Sequence, residues 1–130
     1  MRESIIVATQ ASEYFAARIA ERLPSAHPMG IERKQFGDGE RYLRIKIDDR
    51  LALLGRDVII VASTPTDSDF TEVCRIGTAA AESGAHRLIF IIPFFGYSTM
   101  ERAVKPGEIV TARINARQLS QLSHGDVRNC

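Results

Sequence analysis

Three apolar runs rich in β-branched residues punctuate the chain: Ile5-Ile6-Val7-Ala8, Val58-Ile59-Ile60-Val61 and Leu88-Ile89-Phe90-Ile91-Ile92. A strand with one solvated face alternates apolar and polar positions. An unbroken β-branched run of this length therefore predicts a strand covered on both faces, as in a parallel sheet. Between and after the runs the apolar period becomes that of a helix. Phe15, Ala16, Ile19, Ala20 and Leu23 recur at helical spacing behind a candidate cap at Ser12, and Pro24 stops the pattern. A second helix is predicted over residues 70–83, with Phe70, Val73, Ile76 and Ala80 inward and Gly84 as its stop. A third covers residues 109–122 through Ile109, Ala112, Ala116 and Leu119, with Arg113 and Arg117 on its exposed face.

The segment between the first helix and the second run follows a different rule. Residues 31–35 form a weak strand candidate, and Tyr42, Arg44 and Lys46 alternate with Leu43, Ile45 and Ile47, which predicts a strand with one wet face. Phe36-Gly37-Asp38-Gly39-Glu40 lies between them, two glycines around an aspartate supplying the positive backbone angles of a reversal. A hairpin at one edge of the fold is expected. The order strand, helix, hairpin, strand, helix, strand, helix defines an α/β domain with a mostly parallel sheet. Residues 123–130 read as a helix-to-strand turn with no strand after it, which predicts a fragment or a shortened form.

A length of 130 residues, 45% hydrophobic, suits one domain and one core. Seventeen basic against 16 acidic residues leave a formal charge of +1, so no broad basic field exists to bind nucleic acid, and any phosphate site must be local. No signal-peptide plan and no stretch of roughly 18 apolar residues is present, so no membrane partner is expected and the chain reads as cytoplasmic. Cys74 and Cys130 lack metal-ligand spacing and are read as reduced bystanders. His27, His86 and His124 share no ligand spacing either and are read as surface or cap residues.

Neither a P-loop nor a G-x-G-x-x-G fingerprint occurs, and Ala8-Thr9-Gln10 lacks the acidic cluster a response-regulator receiver carries. Three segments remain as candidates. Phe36, Asp38 and Glu40 either make a plain hairpin turn or offer a ring and two acceptors to a nucleobase. Residues 63–69, rich in hydroxyls and carboxylates, either cap the second helix or hold phosphate at its start. The loop over residues 93–108 carries Glu101, Arg102, Lys105 and Glu108 just beyond a strand end, where α/β folds bind ligands. It is either a solvated connection or a binding loop whose Arg102 and Lys105 meet triphosphate oxygens.

Together these pieces resemble the amino-terminal domain of ribose-phosphate pyrophosphokinase, also called phosphoribosyl pyrophosphate synthetase. The matching residues are Phe36-Gly37-Asp38-Gly39-Glu40, Gly55-Arg56-Asp57-Val58-Ile59-Ile60-Val61-Ala62-Ser63-Thr64, Ile92-Pro93-Phe94-Phe95-Gly96-Tyr97 and Thr111-Ala112-Arg113, in family order and at family spacing. The resemblance implies a phosphoribosyltransferase-like three-layer domain. It further implies ATP and ribose 5-phosphate as substrates, magnesium as cofactor, and a homo-oligomer, dimer or hexamer, for the full-length enzyme. It makes Phe36, Asp38 and Glu40 contacts to adenine across a subunit boundary, with Arg102 keeping the family's positive charge in the loop.

The chain also departs from the family. Ser98-Thr99-Met100-Glu101-Arg102 stands where most members have Ala-Arg-Gln-Asp and a basic residue, so Thr99 and Met100 replace the usual arginine and glutamine contacts to ATP. A charge-assisted hydrogen bond contributes about 1.5–3 kcal/mol, and its uncompensated loss weakens binding by roughly ten- to a hundredfold or more. The family's metal-binding histidine, catalytic loop and ribose 5-phosphate loop would lie beyond Cys130. No catalytic and no metal-ligating residue is therefore expected within the chain, which is expected to be inactive alone. Thr99 and Met100 also leave open a non-catalytic regulatory homologue that binds synthetase subunits.

Overall fold

A computed structural model of the protein describes residues 3–122. The turn expected over residues 123–130, with His124 and Cys130, lies outside them. The apolar runs become β1 (Ser4–Ala8), β5 (Asp57–Val61) and β6 (Arg87–Ile91), joined by β2 (Ala26–Pro28) in an all-parallel sheet of order β2-β1-β5-β6.

Period-2 geometry sends successive residues of β1 and β5 to opposite faces. Ile5, Val7, Val58 and Ile60 face one core with Phe70, Val73, Ile76 and Ala80 of α2 (Asp67–Glu82) and Leu119 of α3 (Thr111–Ser120). Ile6, Ala8, Ile59 and Val61 face the other with Ala16, Ile19 and Ala20 of α1 (Glu13–Arg22). Two continuous apolar strands thus divide one sheet between two cores, and helices cover both faces in three layers. β6 is the edge of the described sheet, so Leu88 is fully buried while Ile89, Phe90 and Ile91 are only half covered.

Strands β3 (Ile31–Gln35) and β4 (Arg41–Ile45) pair antiparallel from Ile31↔Ile45 to Gln35↔Arg41, and this hairpin is a separate two-stranded sheet. A lone hairpin is marginal in water. Here Ile31, Ile45 and Ile47, with Met29, rest against the α2-side core.

Several sequence expectations are corrected. Strand β2 has no apolar run to announce it, because Ala26-His27-Pro28 pairs on one side only and buries just Ala26. Ser12 sits at the N-cap of α1, but its hydroxyl accepts from the Ser63 amide at 2.9 Å rather than capping the helix. Phe15 and Leu23, expected inward, are exposed, because α1 buries only its Ala16 edge against the small side chains of β1. Helix α2 starts three residues before Phe70, where Thr66 Oγ1 accepts from the Asp69 amide at 3.1 Å and its hydroxyl donates to Asp69 Oδ2 at 2.7 Å. Helix α3 starts at Thr111 rather than at residue 109, so Ile109 falls in the exposed loop before it; within the helix the buried pair is Asn115 and Leu119, one turn apart, and Ala116 is exposed because the helix meets the core along a narrower stripe than its spacing suggests.

Leu88→Ala is expected to cost about 2–5 kcal/mol in urea denaturation, because the side chain is completely enclosed. Phe15→Ala, at 44% exposure, is expected to cost less than about 1 kcal/mol.

Candidate functional site

Sequence places the candidate residues on three features: the hairpin tip, the segment over residues 63–69 that leads into α2, and the loop after β6. At the tip, the Phe36 amide donates to the Glu40 carbonyl at 2.8 Å and the Gly39 amide to the Phe36 carbonyl at 2.9 Å. Gly39 has φ +93°, which a side chain would strain. Asp38 Oδ1 accepts from the Glu40 amide at 3.0 Å, so one oxygen of this carboxylate fixes its own turn. Phe36 stands 51% exposed and meets Tyr42 edge-on, with ring centroids 6.2 Å apart. Phe36, Asp38 and Glu40 therefore share one hydrogen-bonded five-residue turn, with the Phe36 side chain about half exposed.

Between the hairpin and α2 lies an open cleft of about 870 Å³. Glu40, Arg41, Tyr42 and Leu43 line its hairpin side, and Thr71, Glu72 and Arg75 its helix side. The Arg41 guanidinium reaches across to the Ser68 hydroxyl near the start of α2. Glu40 lines this cleft, as does Ser68 of the 63–69 segment, whereas Phe36 and Asp38 are not among its lining residues. Arg102 is exposed in the loop after β6 and is not among the lining residues.

That loop begins on a tightly fitted knuckle. Thr64 forms a parallel bridge to Phe95, its amide donates to the Phe94 carbonyl at 2.8 Å, and its hydroxyl accepts from the buried Gly96 amide at 3.0 Å. A Cβ on Gly96 would fall 2.1 Å from the Thr64 carbonyl oxygen, so only glycine fits. Tyr97 follows with φ +65°, an uncommon conformation for a bulky residue, and its hydroxyl donates to Asp67 Oδ1 at 2.7 Å. The hydrogen bond to Asp67, and then the carboxylate's negative charge, push the Tyr97 phenol above its ordinary value. From Ser98 to Ile109 the loop is exposed, Lys105 included.

Sequence reading missed the ionic contacts under the hairpin. Arg33 makes ion pairs to Glu72 on α2 at 2.7 Å and to Glu13 on α1 at 2.9 Å. A signal existed: Arg33 shares the inward face of β3 with Ile31, where a charge demands a partner. Among the described residues, no group of three or more His, Cys, Asp or Glu is placed to hold a metal ion. A magnesium ion that keeps its waters and needs one or two carboxylates beside phosphate oxygens makes no such demand on a single domain. Cys74 sits half buried on α2, where desolvation pushes its thiol up and disfavours the reactive thiolate. No described helix is long and apolar enough to cross a membrane.

The fold and the projecting hairpin define the class, a three-layer α/β domain with an open cleft beside a separate antiparallel ribbon. The family model for the N-terminal domain of ribose phosphate pyrophosphokinase matches residues 4–122, and the chain belongs to that family. It is similar to the ribose-phosphate pyrophosphokinase of Methanosarcina acetivorans, 38% identical over 112 residues, which covers 86% of this chain and 37% of the relative. The enzyme of the same name from Thermococcus kodakarensis is 33% identical over 100 residues, covering 75% and 34%. In fold the chain is similar to the phosphoribosylpyrophosphate synthetase of Mycobacterium smegmatis, at a TM-score of 0.76 and 21% identity over 93% of this chain and 40% of that one. The chain spans little more than a third of the length of these curated relatives.

Gly96→Ala is expected to destabilise the fold by about 3 kcal/mol or more in thermal unfolding, because backbone rather than a movable side chain blocks the added methyl. With Tyr14 and Tyr42 changed to Phe, a titration followed by ultraviolet absorbance should show Tyr97 ionising above the usual range near 10, and Asp67→Asn should bring it back. The sign follows from the raised value: the latch is intact below the ordinary tyrosine pKa and is lost as pH climbs through the folded one.

Proposed function

We propose that this chain is the ATP-side domain of a ribose-phosphate pyrophosphokinase, in which diphosphate passes from ATP to the anomeric hydroxyl of ribose 5-phosphate in nucleotide-precursor synthesis. Family membership supports the reaction class. The observation that carries the site is the hydrogen-bonded turn holding an exposed Phe36 side chain, Asp38 and Glu40 together. Such a ring stacks on a purine, and a carboxylate accepts from an exocyclic amine. Phosphoryl chemistry asks a protein chiefly for positioning and charge neutralisation, so a domain can grip the base while other groups meet the phosphates. Arg102 and Lys105 are the cations of the exposed loop suited to phosphate, with magnesium arriving on the nucleotide. On this reading the 130-residue chain binds adenine nucleotide weakly and does not catalyse transfer alone.

The loop sequence supports a second reading. Thr99 and Met100, both exposed, offer no charge to a phosphate, as expected for a regulatory homologue that joins intact synthetase subunits without using ATP.

Calorimetry with ATP and ADP separates the two readings. The first expects weak binding that disappears in the Asp38→Ala, Glu40→Ala double variant, and unchanged affinity in that variant rules out the hairpin site. The second expects no binding by the unaltered chain, together with its co-purification with a full-length synthetase.

A further inference from the structure

The sheet order places a topological switch between β1 and β5, because α1 leaves β1 to cover one face while α2 leaves β5 to cover the other. Ligand sites of open α/β sheets form in the crevice at the carboxyl ends of strands flanking such a switch. Here an arginine of the hairpin occupies that position. Arg33 Nη2 donates to the Ala8 carbonyl, the last residue of β1, at 3.0 Å and to Glu72 Oε1 at 2.7 Å. Nε donates to the same Glu72 oxygen at 2.9 Å, and Nη1 to Glu13 Oε1 at 2.9 Å. The side chains of Arg33 and Glu72 are only 20% and 10% exposed.

We infer that Arg33 is the positioning residue of the hairpin, a planar fork that fixes the angle of β3 against β1, α1 and α2 and so aims the tip that begins at Phe36. This inference rests on the nucleotide reading of the tip. Three properties of the contact set support it. Its acceptors lie on three separate elements, so a rotation of the hairpin lengthens at least one bond. Guanidinium geometry is rigid, whereas the apolar contacts of Ile31, Ile45 and Ile47 tolerate sliding. Gln35 follows two residues later as the last ladder pair, so an angular error at Arg33 is carried directly into the turn. The Arg41–Ser68 contact restrains the far side of the cleft, but it is exposed and competes with water.

Removing Arg33 alone would strand the buried Glu72 carboxylate and confound lost positioning with lost stability, so the test uses the double variant Arg33→Met, Glu72→Leu. Replacing a buried ion pair with apolar groups of similar size is often neutral for stability. In the 130-residue chain the double variant is expected to keep its denaturation midpoint. The Phe36 and Gly39 amides should nevertheless exchange hydrogen at least about tenfold faster relative to those of β5, and ATP affinity should fall by about tenfold or more. A lower affinity at unchanged stability is what a merely structural arginine would not give. Arg33→Lys keeps the charge without the fork, and it should leave exchange and affinity between those of the unaltered chain and of the double variant. Unchanged hairpin exchange in the double variant, faster exchange with undiminished affinity, or full protection in Arg33→Lys each overturns the inference. If the unaltered chain binds no ATP, the nucleotide reading fails, while the exchange comparison still decides whether Arg33 holds the hairpin.

Discussion

Burial of β1 and β5 on both faces is the constraint from which the remaining architecture follows. Each strand has Cβ atoms pointing alternately to two sides, and each carries β-branched or small apolar residues on both. Such strands cannot sit at a wet surface, so the chain must supply cover twice. It does so by sending α1 to the Ile6, Ala8, Ile59 and Val61 side and α2 to the Ile5, Val7, Val58 and Ile60 side. The parallel register, the two crossover helices and the switch between β1 and β5 all answer that one demand.

The two covers differ. α1 contributes Ala16, Ile19 and Ala20 and leaves Tyr14 and Phe15 outside, whereas α2 buries Phe70, Val73, Ile76, Gly77, Ala80 and Ala81. The deeper cover lies on the side that also carries the hairpin and α3. Gly77 lies at a close approach there, since a Cβ would sit 3.0 Å from the Leu122 side chain and 3.1 Å from the Phe90 ring. The candidate site thus stands on the better-packed half of the domain, where backbone positions are held most firmly.

What could be read in the sequence was whatever depends on local pattern. Continuous apolar runs gave three strands, period 3.6 gave the helices, and the Gly-Asp-Gly sequence gave the reversal at residues 36–40. What could not be read depends on partners distant in sequence. β2 exists only because Ala26 meets Ser4, and nothing in Ala26-His27-Pro28 signals that pairing. Ser12 was a sound cap candidate until the Ser63 amide, 51 residues away, took its hydroxyl. Helix faces were misjudged where the covering surface is narrow, as at Phe15 and Ala116. The candidate site divided along the same line. The turn holding Phe36, Asp38 and Glu40 is local and was legible, whereas its relation to Arg102 and to the cleft beside α2 depends on three-dimensional placement.

A ribbon that stands apart from the main sheet needs a reason to keep one orientation, and hydrophobic contact alone does not supply it. Ile31, Ile45 and Ile47 give the hairpin its attachment, but apolar contacts are nearly indifferent to a few degrees of rotation. Direction comes from hydrogen bonds, and the part-buried side-chain bonds from β3 to its neighbours converge on Arg33. Burying that charge is costly, and an apolar pair in its place would hold the domain together about as well. Its contribution is therefore better explained by geometry than by stability, since the fork ties the strand leading to Phe36 to the carboxyl end of β1. The carboxyl end of the sheet in this domain thus holds a side chain that sets the direction of the hairpin, and the exposed candidate residues at its tip project away from the domain's own core.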